Sequence, residues 1–360
     1  MLGLDPDFWR GRSVLVTGHT GFKGGWLALW LEHLGARVAG YALPPATDPS
    51  LCEVAGIATS VRHQLGDIRD YDTLKRTLAN SAPEIVFHLA AQALVRESYR
   101  DPLTTIASNV TGTAHVLEAA RHTPSVRAVV VVTSDKCYDN REWSWPYREN
   151  EPLGGHDPYS ASKACAELVT AAWRHSFPRE GLSIASARAG NVIGGGDWAP
   201  ERLVPDALAT WSRGETLRVR KPAAVRPWQH VLEPLHGYLL LAQQLYRQQA
   251  AEAWNFGPGE DDMVAVADVL DRLARHWDPG AKWATDAAPQ PPEASLLRLD
   301  STRARQLLSW KPVWPLDEAL ARTVAWHREW LGGADMRACS LETIAAYHQR
   351  AIETHHVCPA

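Results

Sequence analysis

The chain has 360 residues, 45% of them apolar, and a formal net charge of −4. That is enough apolar material for a full core and, at ordinary domain sizes, for two domains. The acidic balance, with basic residues scattered along the chain, excludes the electrostatic footprint of a nucleic-acid or anionic-membrane partner. The opening MLGLDPDFWR (1–10) has two acids and no long apolar run, and no stretch approaches the roughly 18 apolar residues of a membrane span, so a cytoplasmic protein is expected. Five cysteines (Cys52, Cys137, Cys165, Cys339, Cys358) lack C-x-x-C spacing and suggest reduced thiols, neither a zinc site nor a disulfide framework.

In chain order, SVLVT (13–17) reads as a strand, TGHTGFKG (17–24) as a glycine-rich turn, and WLALWLEHL (26–34) as a helix that stops at Gly35. RVAGY (37–41) is a second strand, closed by YALPP (41–45). EIVFHL (84–89) is a third, the helical pattern TIASNVTGTAHVLEAA (105–120) follows, and RAVVVVT (127–133) and LSIASAR (182–188) are further strands. Such alternation predicts βαβ units, hence an α/β fold with a doubly wound parallel sheet of Rossmann type. Past residue 190 the texture changes to Gly, Pro and Trp-rich loops, GGGDWAP (194–200) and RKPAAVRPWQ (220–229), which predicts a smaller C-terminal substrate-binding domain over the carboxyl edge of the sheet. The expected division is residues 1–190 for the dinucleotide-binding part, with a return to it near 225–257, then 191–335 for the second part. DAAPQPPE (286–293) reads as an exposed linker, and 336–360 as a partly helical tail frayed at its end.

Glycines at 18, 21 and 24 permit a tight turn and let backbone amides approach a pyrophosphate at a helix N-terminus. Tyr159 and Lys163 in YSASK (159–163) fall one helical turn apart on one face, 25 residues after Ser134 at a strand end. A nearby ammonium is expected to lower the phenol's pKa and make Tyr159 a usable base. The G-x-x-G-x-x-G spacing, HLAAQ (88–92), Asn109 and the Ser134-Tyr159-Lys163 set together resemble the extended short-chain dehydrogenase/reductase superfamily.

That resemblance implies an NAD cofactor held by Gly18, Thr20, Gly21, Phe22, Gly24, Asp67, Ile68, Leu89, Ala90, Ala91, Asn109, Tyr159 and Lys163. It gives Asp67, in GDI (66–68), the adenine amino group and Lys163 the cofactor ribose. A competing reading makes Asp67 a helix cap ahead of RDYD (69–72). The second strand departs from the pattern. It lacks a ribose-binding acid at its end, Asp48 lies late, and no arginine is placed there for a 2′-phosphate, so this strand does not by itself separate NAD from NADP.

The segment TSDKCYDN (133–140) places Asp135 and Lys136 directly after Ser134. With GGHDPY (154–159) and RAGNVIGGGDW (188–198), it resembles the nucleotide-sugar 4,6-dehydratases, and among them the branch that acts on CDP-glucose. Oxidation at sugar C4 makes the C5 hydrogen acidic, and the C6 hydroxyl must then leave as water, so a base and an acid are needed at neighbouring atoms. The resemblance implies Asp135 as the acid and Lys136 as the base, where dTDP-glucose and GDP-mannose dehydratases carry Asp-Glu. The acid must be protonated and the base neutral, which burial of both in a water-poor pocket would favour.

By the same resemblance Asn191, Arg202 and Arg226 bind the substrate's diphosphate, a solvated loop being an equal reading for Arg202. Trp228 is expected to pack, and Trp198 either to pack or to close over the site. His355, His356 and Cys358 read as a terminal tail and not a metal site. The helices beginning near Thr105 and Tyr159 imply a homodimer or dimer of dimers. Open alternatives are another nucleotide sugar, an epimerising or 5,6-ene-forming outcome, and a non-catalytic nucleotide-binding regulator. The five acid/base groups argue against the last, since a binding module needs none.

Overall fold

A computed structural model describes residues 3–286, 288 and 294–356, the last two without their side chains. Six strands come first: β1 Ser13–Thr17, β2 Arg37–Ala42, β3 Arg62–Leu65, β4 Ile85–His88, β5 Ala128–Val132 and β6 Ser183–Ala189. The chain then leaves for β7 Asn191–Ile193, β8 Leu217–Val219 and β9 Val225–His230, returns as β10 Ala253–Phe256, and leaves again for β11 Met263–Ala265 and β12 Trp283–Thr285. The main sheet has seven parallel strands in the order β10-β6-β5-β4-β1-β2-β3.

Helices cover both faces, which is why β5, AVVVV, is buried at every position and reads as an unbroken apolar run. One apolar cluster holds the helices Phe22–His33 and Leu232–Tyr246, and the other, on the opposite face, takes Leu74, Leu78, Val116 and Leu117. The edge strand β3, RHQL, is mostly exposed and gives no such signal. The helical pattern at 105–120 is interrupted. Pro102–Ile106 passes through a π turn, Ala107–Thr111, into Gly112–Arg121.

The C-terminal segment, expected as a partly helical tail, holds a helix that docks on the core. The helix Met336–His356 buries Ile344, Tyr347 and Ala351 in the first cluster, with Tyr347 edge-on to Trp30 at 5.4 Å between ring centroids. Glu233 anchors it, accepting from the Tyr347 hydroxyl at 2.6 Å and from the backbone N–H groups of Val313 and Trp314 at 2.9 and 2.8 Å. Burial pushes this carboxyl up to about 7, while those hydrogen bonds hold it down.

Over the carboxyl ends of the main sheet lies a second layer. β11, β9 and β7 form a three-stranded sheet, β12 pairs with β8, and the helices Leu203–Ser212, Val266–Trp277 and Leu316–Leu331 pack around a separate apolar cluster. Both β7 and β9 begin close to the C-terminal end of β6, so the cap and the sheet meet where Ser134 and Asp135 emerge.

Candidate active site

At the turn after β1, Gly18 adopts φ +78° and its N–H donates to Tyr41 O at 2.9 Å, closing the loop against β2. A Cβ on Gly18 would stand 2.7 Å from Ala90 N, and one on Gly24 2.1 Å from Gly18 O. Only glycine fits either place. The helix Phe22–His33 that follows starts at Gly21 with no side-chain cap, whereas the helices Tyr71–Ser81 and Pro158–Ser176 are capped by Asp70 and Asp157. Uncapped N–H groups above a glycine floor suit an anionic pyrophosphate, so the residues present fit a dinucleotide. Leu89 N and Ala90 N bond to Thr17 O and Thr17 Oγ1 at 3.1 and 3.3 Å, which holds 89–91 against this floor.

The segment from Thr133 to Tyr138 is pinned at both ends. Glu167, on the Tyr159 helix, accepts from Thr133 Oγ1 and from Ser186 Oγ and Arg188 at 2.6 and 2.8 Å. Arg188 in turn donates to the Tyr138 hydroxyl at 2.8 Å. This buried network sets the short turn Asp135–Cys137, and within it Ser134 Oγ donates to Asp135 Oδ1 at 2.9 Å and accepts from Lys136 N at 3.2 Å. Ser134, Asp135, Tyr159 and Lys163 are 7%, 2%, 8% and 6% exposed. The structure therefore brings the predicted acid, base helix and hydroxyl together in one dry corner.

Burial pushes the Asp135 carboxyl up, against the pull of Lys136, Ser134 and Arg226, so it moves toward the protonated form an acid needs. Its Oδ2 has no hydrogen-bond partner among the described residues, a buried lone pair that a sugar hydroxyl would satisfy. Lys136 corrects an expectation. It is half-buried, so the chain buries the acid of the pair more completely than the base.

Tyr159 brings a second correction. Burial raises the phenol to about 12, with the Ser134 hydroxyl and then the Arg202 guanidinium as the groups that hold it down. Lys163, expected to do so, has its Nζ 6.0 Å from the ring centroid and donating to Val132 O at 3.4 Å, and burial brings its amine down to about 8.

Sequence reasoning missed Lys23. Half-buried overall, it turns its amine inward over the ring of Tyr238, 5.8 Å from the centroid. Burial, Lys163 and Arg202 lower it to about 7 while Asp135 acts the other way. Tyr238 is fully buried and its hydroxyl has no hydrogen-bond partner among the described residues. A lysine in the first turn of a helix that is otherwise free of charge as far as Leu31, FKGGWLALWLEH, was the available signal.

Several predicted contacts are spent within the chain. Asp67 is bonded by Arg69 through Nε and NH2 at 2.9 and 2.6 Å, and the cap of the following helix is Asp70 and not Asp67. Ile68 is buried. Asn109 clamps the 92 loop to the Tyr159 helix, donating to Gln92 O at 3.0 Å and Ser162 Oγ at 2.8 Å and accepting from Gln92 N at 2.9 Å, which is a positioning role. Thr20 Oγ1 donates to Leu43 O at 2.9 Å, and Phe22 faces Gly194 of the cap.

In the cap, Arg202 pairs with Asp197 at 2.9 Å, and Arg226, 4% exposed, donates to Val225 O at 2.9 Å and to Ala294 O. Arg202 helps to hold the Tyr159 phenol down and Arg226 the Asp135 carboxyl. Asn191 stands in β7 opposite Trp228 of β9. Trp228 is buried in the cap's cluster, and Trp198 packs edge-on to Trp326 and Trp330 at 5.8 and 5.0 Å. The side chains of His355, His356 and Cys358 lie outside the described residues.

Among curated proteins the chain is 50% identical over 352 residues to the CDP-glucose 4,6-dehydratase of Salmonella typhimurium, covering 96% of this chain and 98% of that one. Among solved structures it matches the dTDP-glucose 4,6-dehydratase of Streptomyces venezuelae, determined with NAD bound, at 27% identity and a TM-score of 0.76 over 90% of this chain and 99% of that one. The UDP-glucose 4-epimerase of Thermotoga maritima, at 24% identity and a TM-score of 0.77 over 88% and 99% of the two chains, shares the fold. The sequence model of the GDP-mannose 4,6 dehydratase family matches residues 15–323, from β1 into the helix Leu316–Leu331. With that span matched and the glycine floor and buried Ser134-Tyr159-Lys163 corner in place, the chain belongs to the GDP-mannose 4,6 dehydratase family.

Proposed function

We propose that the chain is a nucleotide-sugar 4,6-dehydratase that converts CDP-D-glucose to CDP-4-keto-6-deoxy-D-glucose, with NAD as its resident cofactor. The observation that carries this reading is the Asp135-Lys136 pair, set by the Glu167-Arg188 network beside the Tyr159 helix. A half-identical relative that bears the CDP-glucose name supports the base and sugar. The glycine floor, Leu89-Ala90-Ala91 and Lys163 would hold the cofactor, whose nicotinamide supplies a hydride acceptor that gives the hydride back within the same cycle.

The chain's own work is proton transfer. Tyr159 takes the proton of the C4 hydroxyl, and the Ser134 hydroxyl and the Arg202 guanidinium favour its phenolate in a low-dielectric corner. Once C4 is a carbonyl, Lys136 removes the acidified C5 proton and later returns it. Asp135 protonates the departing C6 oxygen, for which its upward shift prepares it. The bound sugar nucleotide completes the burial of Lys136 that the chain leaves partial. Arg226, Arg202 and Asn191 meet the diphosphate, where a guanidinium's paired donors match phosphate oxygens.

We also infer a homodimer or dimer of dimers in the cytoplasm. Leu103 (81% exposed) on Pro102–Ile106 and Leu168 (58% exposed) on Pro158–Ser176 support a seam through these helices. Light scattering of the active protein should show at least a dimer, and a concentration-independent active monomer would reject it.

The function is tested by incubating the purified protein with CDP-, dTDP-, GDP- and UDP-glucose in deuterated water and reading products by NMR. The expected result is a 4-keto-6-deoxy product from CDP-glucose, deuterated at C5. Turnover of another nucleotide sugar with CDP-glucose left unchanged would contradict the substrate.

A further inference from the structure

We infer that Glu201 is a positioning residue for the sugar nucleotide: through its ion pairs with Arg96 and Arg100 it clasps the loop of the cap that leads into Arg202 to a fixed post on the sheet side. This rests on the reading given under Proposed function, in which Arg202 meets the diphosphate.

The post is the short helix Val95–Arg100. Its Ser98 is fully buried, donates through Oγ to Val95 O at 2.6 Å and accepts from the backbone N–H of Tyr159 at 3.1 Å. Tyr159 lies in the first turn of the helix Pro158–Ser176, where N–H groups have no acceptor within the helix. Asp157 accepts from Ser160 N at 2.9 Å, and Ser98 serves Tyr159 N. The post is thus joined from within to the helix that carries Tyr159, and Arg96 and Arg100 reach from it to the cap.

The cap loop has a wedged half and an open half. Gly194 to Gly196 are buried, whereas residues 197–202 are half-buried or exposed. A Cβ on Gly195 would stand 2.1 Å from Trp326 and one on Gly196 2.7 Å from Leu51, and Trp26 Nε1 donates to Gly195 O at 2.9 Å. In the open half, Asp197 accepts from Ala199 N at 3.1 Å and pairs with Arg202 at 2.9 Å, bonds that close the turn on itself without tying it to the sheet side. Glu201 supplies that tie. Its Oε1 lies 3.4 Å from Arg96 NH1 and 3.2 Å from Arg100 NH2.

Glu201 also holds φ +64°, a left-handed conformation that a residue with a side chain enters at a cost, which the two ion pairs offset. The side chains of Glu201, Arg96 and Arg100 are 27%, 30% and 64% exposed, so each pair is weak, as suits a clasp that opens for substrate and product to pass. While it is shut, Arg202, the next residue, is already placed for the diphosphate. Without it, the substrate must order the loop itself, and that cost falls on binding.

The test is steady-state kinetics of the full-length protein with CDP-glucose. It compares the parent, Glu201→Gln, the pair Arg96→Gln with Arg100→Gln, the combination of all three, and Glu201→Gly. Glu201→Gln and the arginine pair should each raise KM about three- to tenfold with kcat within about twofold of the parent. The combination should be no worse than either, because all three remove one interaction. Glycine takes a positive φ without strain, so Glu201→Gly should repeat the Glu201→Gln defect, whereas a purely structural role in the turn would restore KM. An unchanged KM, losses that multiply in the combination, a normal KM in Glu201→Gly, or equal losses in kcat and kcat/KM would each overturn the clasp. If Glu201→Gln does not fold, as judged by circular dichroism, the arginine pair carries the same prediction and an unchanged KM in it is decisive. A failure of the function reading is seen separately, because the parent would then yield no 4-keto product from CDP-glucose.

Discussion

The two walls of the cleft handle charge differently. On the sheet side, Ser134, Asp135 and Tyr159 are buried, Ser134 is already bonded to Asp135, and a second network of Glu167, Arg188 and Tyr138 holds the segment from behind. On the cap side, Arg202 and Arg226 occupy donors with Asp197 and with backbone carbonyls. The difference teaches which parts are made ready by folding and which are completed by binding. Proton-transfer groups gain from fixed geometry because a misplaced acid loses rate steeply. A guanidinium held by carbonyls exchanges them for phosphate oxygens at modest cost, so the cap can wait for its ligand.

The largest effect should come from breaking the sheet side. Tyr159→Phe removes the oxidation base and is expected to lower kcat on the order of 10²- to 10⁴-fold with the circular-dichroism spectrum intact, as measured by appearance of the 4-keto product. A smaller effect is expected on the cap side. Arg226→Lys keeps the charge and loses the paired donors, so KM for the nucleotide sugar should rise about tenfold, the loss of roughly one charge-assisted hydrogen bond, while kcat changes little. Equal losses in kcat and kcat/KM would mean that Arg226 belongs with the proton-transfer groups.

Lys23 gives the smallest and most particular effect, because it belongs to the sheet side by position and to the cap side by charge. Its amine sits at about 7 in the folded chain against an ordinary 10.5. Between those values the unfolded chain binds more protons than the folded one, so stability rises with pH across that window. Lys23→Met removes that slope. The variant should exceed the parent in Tm most below about pH 7 and lose the advantage as pH approaches 10.5, read by thermal melts without ligand. A constant difference across pH would place the Lys23 amine in solvent.

How much was legible in the sequence follows the same divide. β1 and β5 announce themselves because both faces are covered, which makes Val14 to Val16 and all of Ala128 to Val132 apolar, whereas β3, RHQL, sits at an exposed edge and reads as loop. The glycines at 18 and 24 and the Tyr159-Lys163 spacing were readable because backbone approach and helical geometry demand them. The half-burial of Lys136 was not, since it depends on what covers a side chain, and neither were the bonds of Asp67 to Arg69 or of Asn109 to Ser162, since those depend on neighbours set by the fold. That 336–360 would be partly helical was legible, but the docking of the helix Met336–His356 was not, because its apolar face is weakly marked although Tyr347 and Ile344 are fully buried.

The central claim is that Asp135 and Lys136, adjacent in the chain and unequal in burial, are the acid and base of one elimination. It is tested most directly by deuterium wash-in at C5 of CDP-glucose, followed together with 4-keto-6-deoxy product in Asp135→Asn and Lys136→Ala. The account predicts that Asp135→Asn still exchanges the C5 hydrogen while releasing water slowly, and that Lys136→Ala does neither. A Lys136→Ala variant that exchanges C5 and dehydrates at the parent rate would contradict it and leave Lys136 a solvated neighbour of the acid.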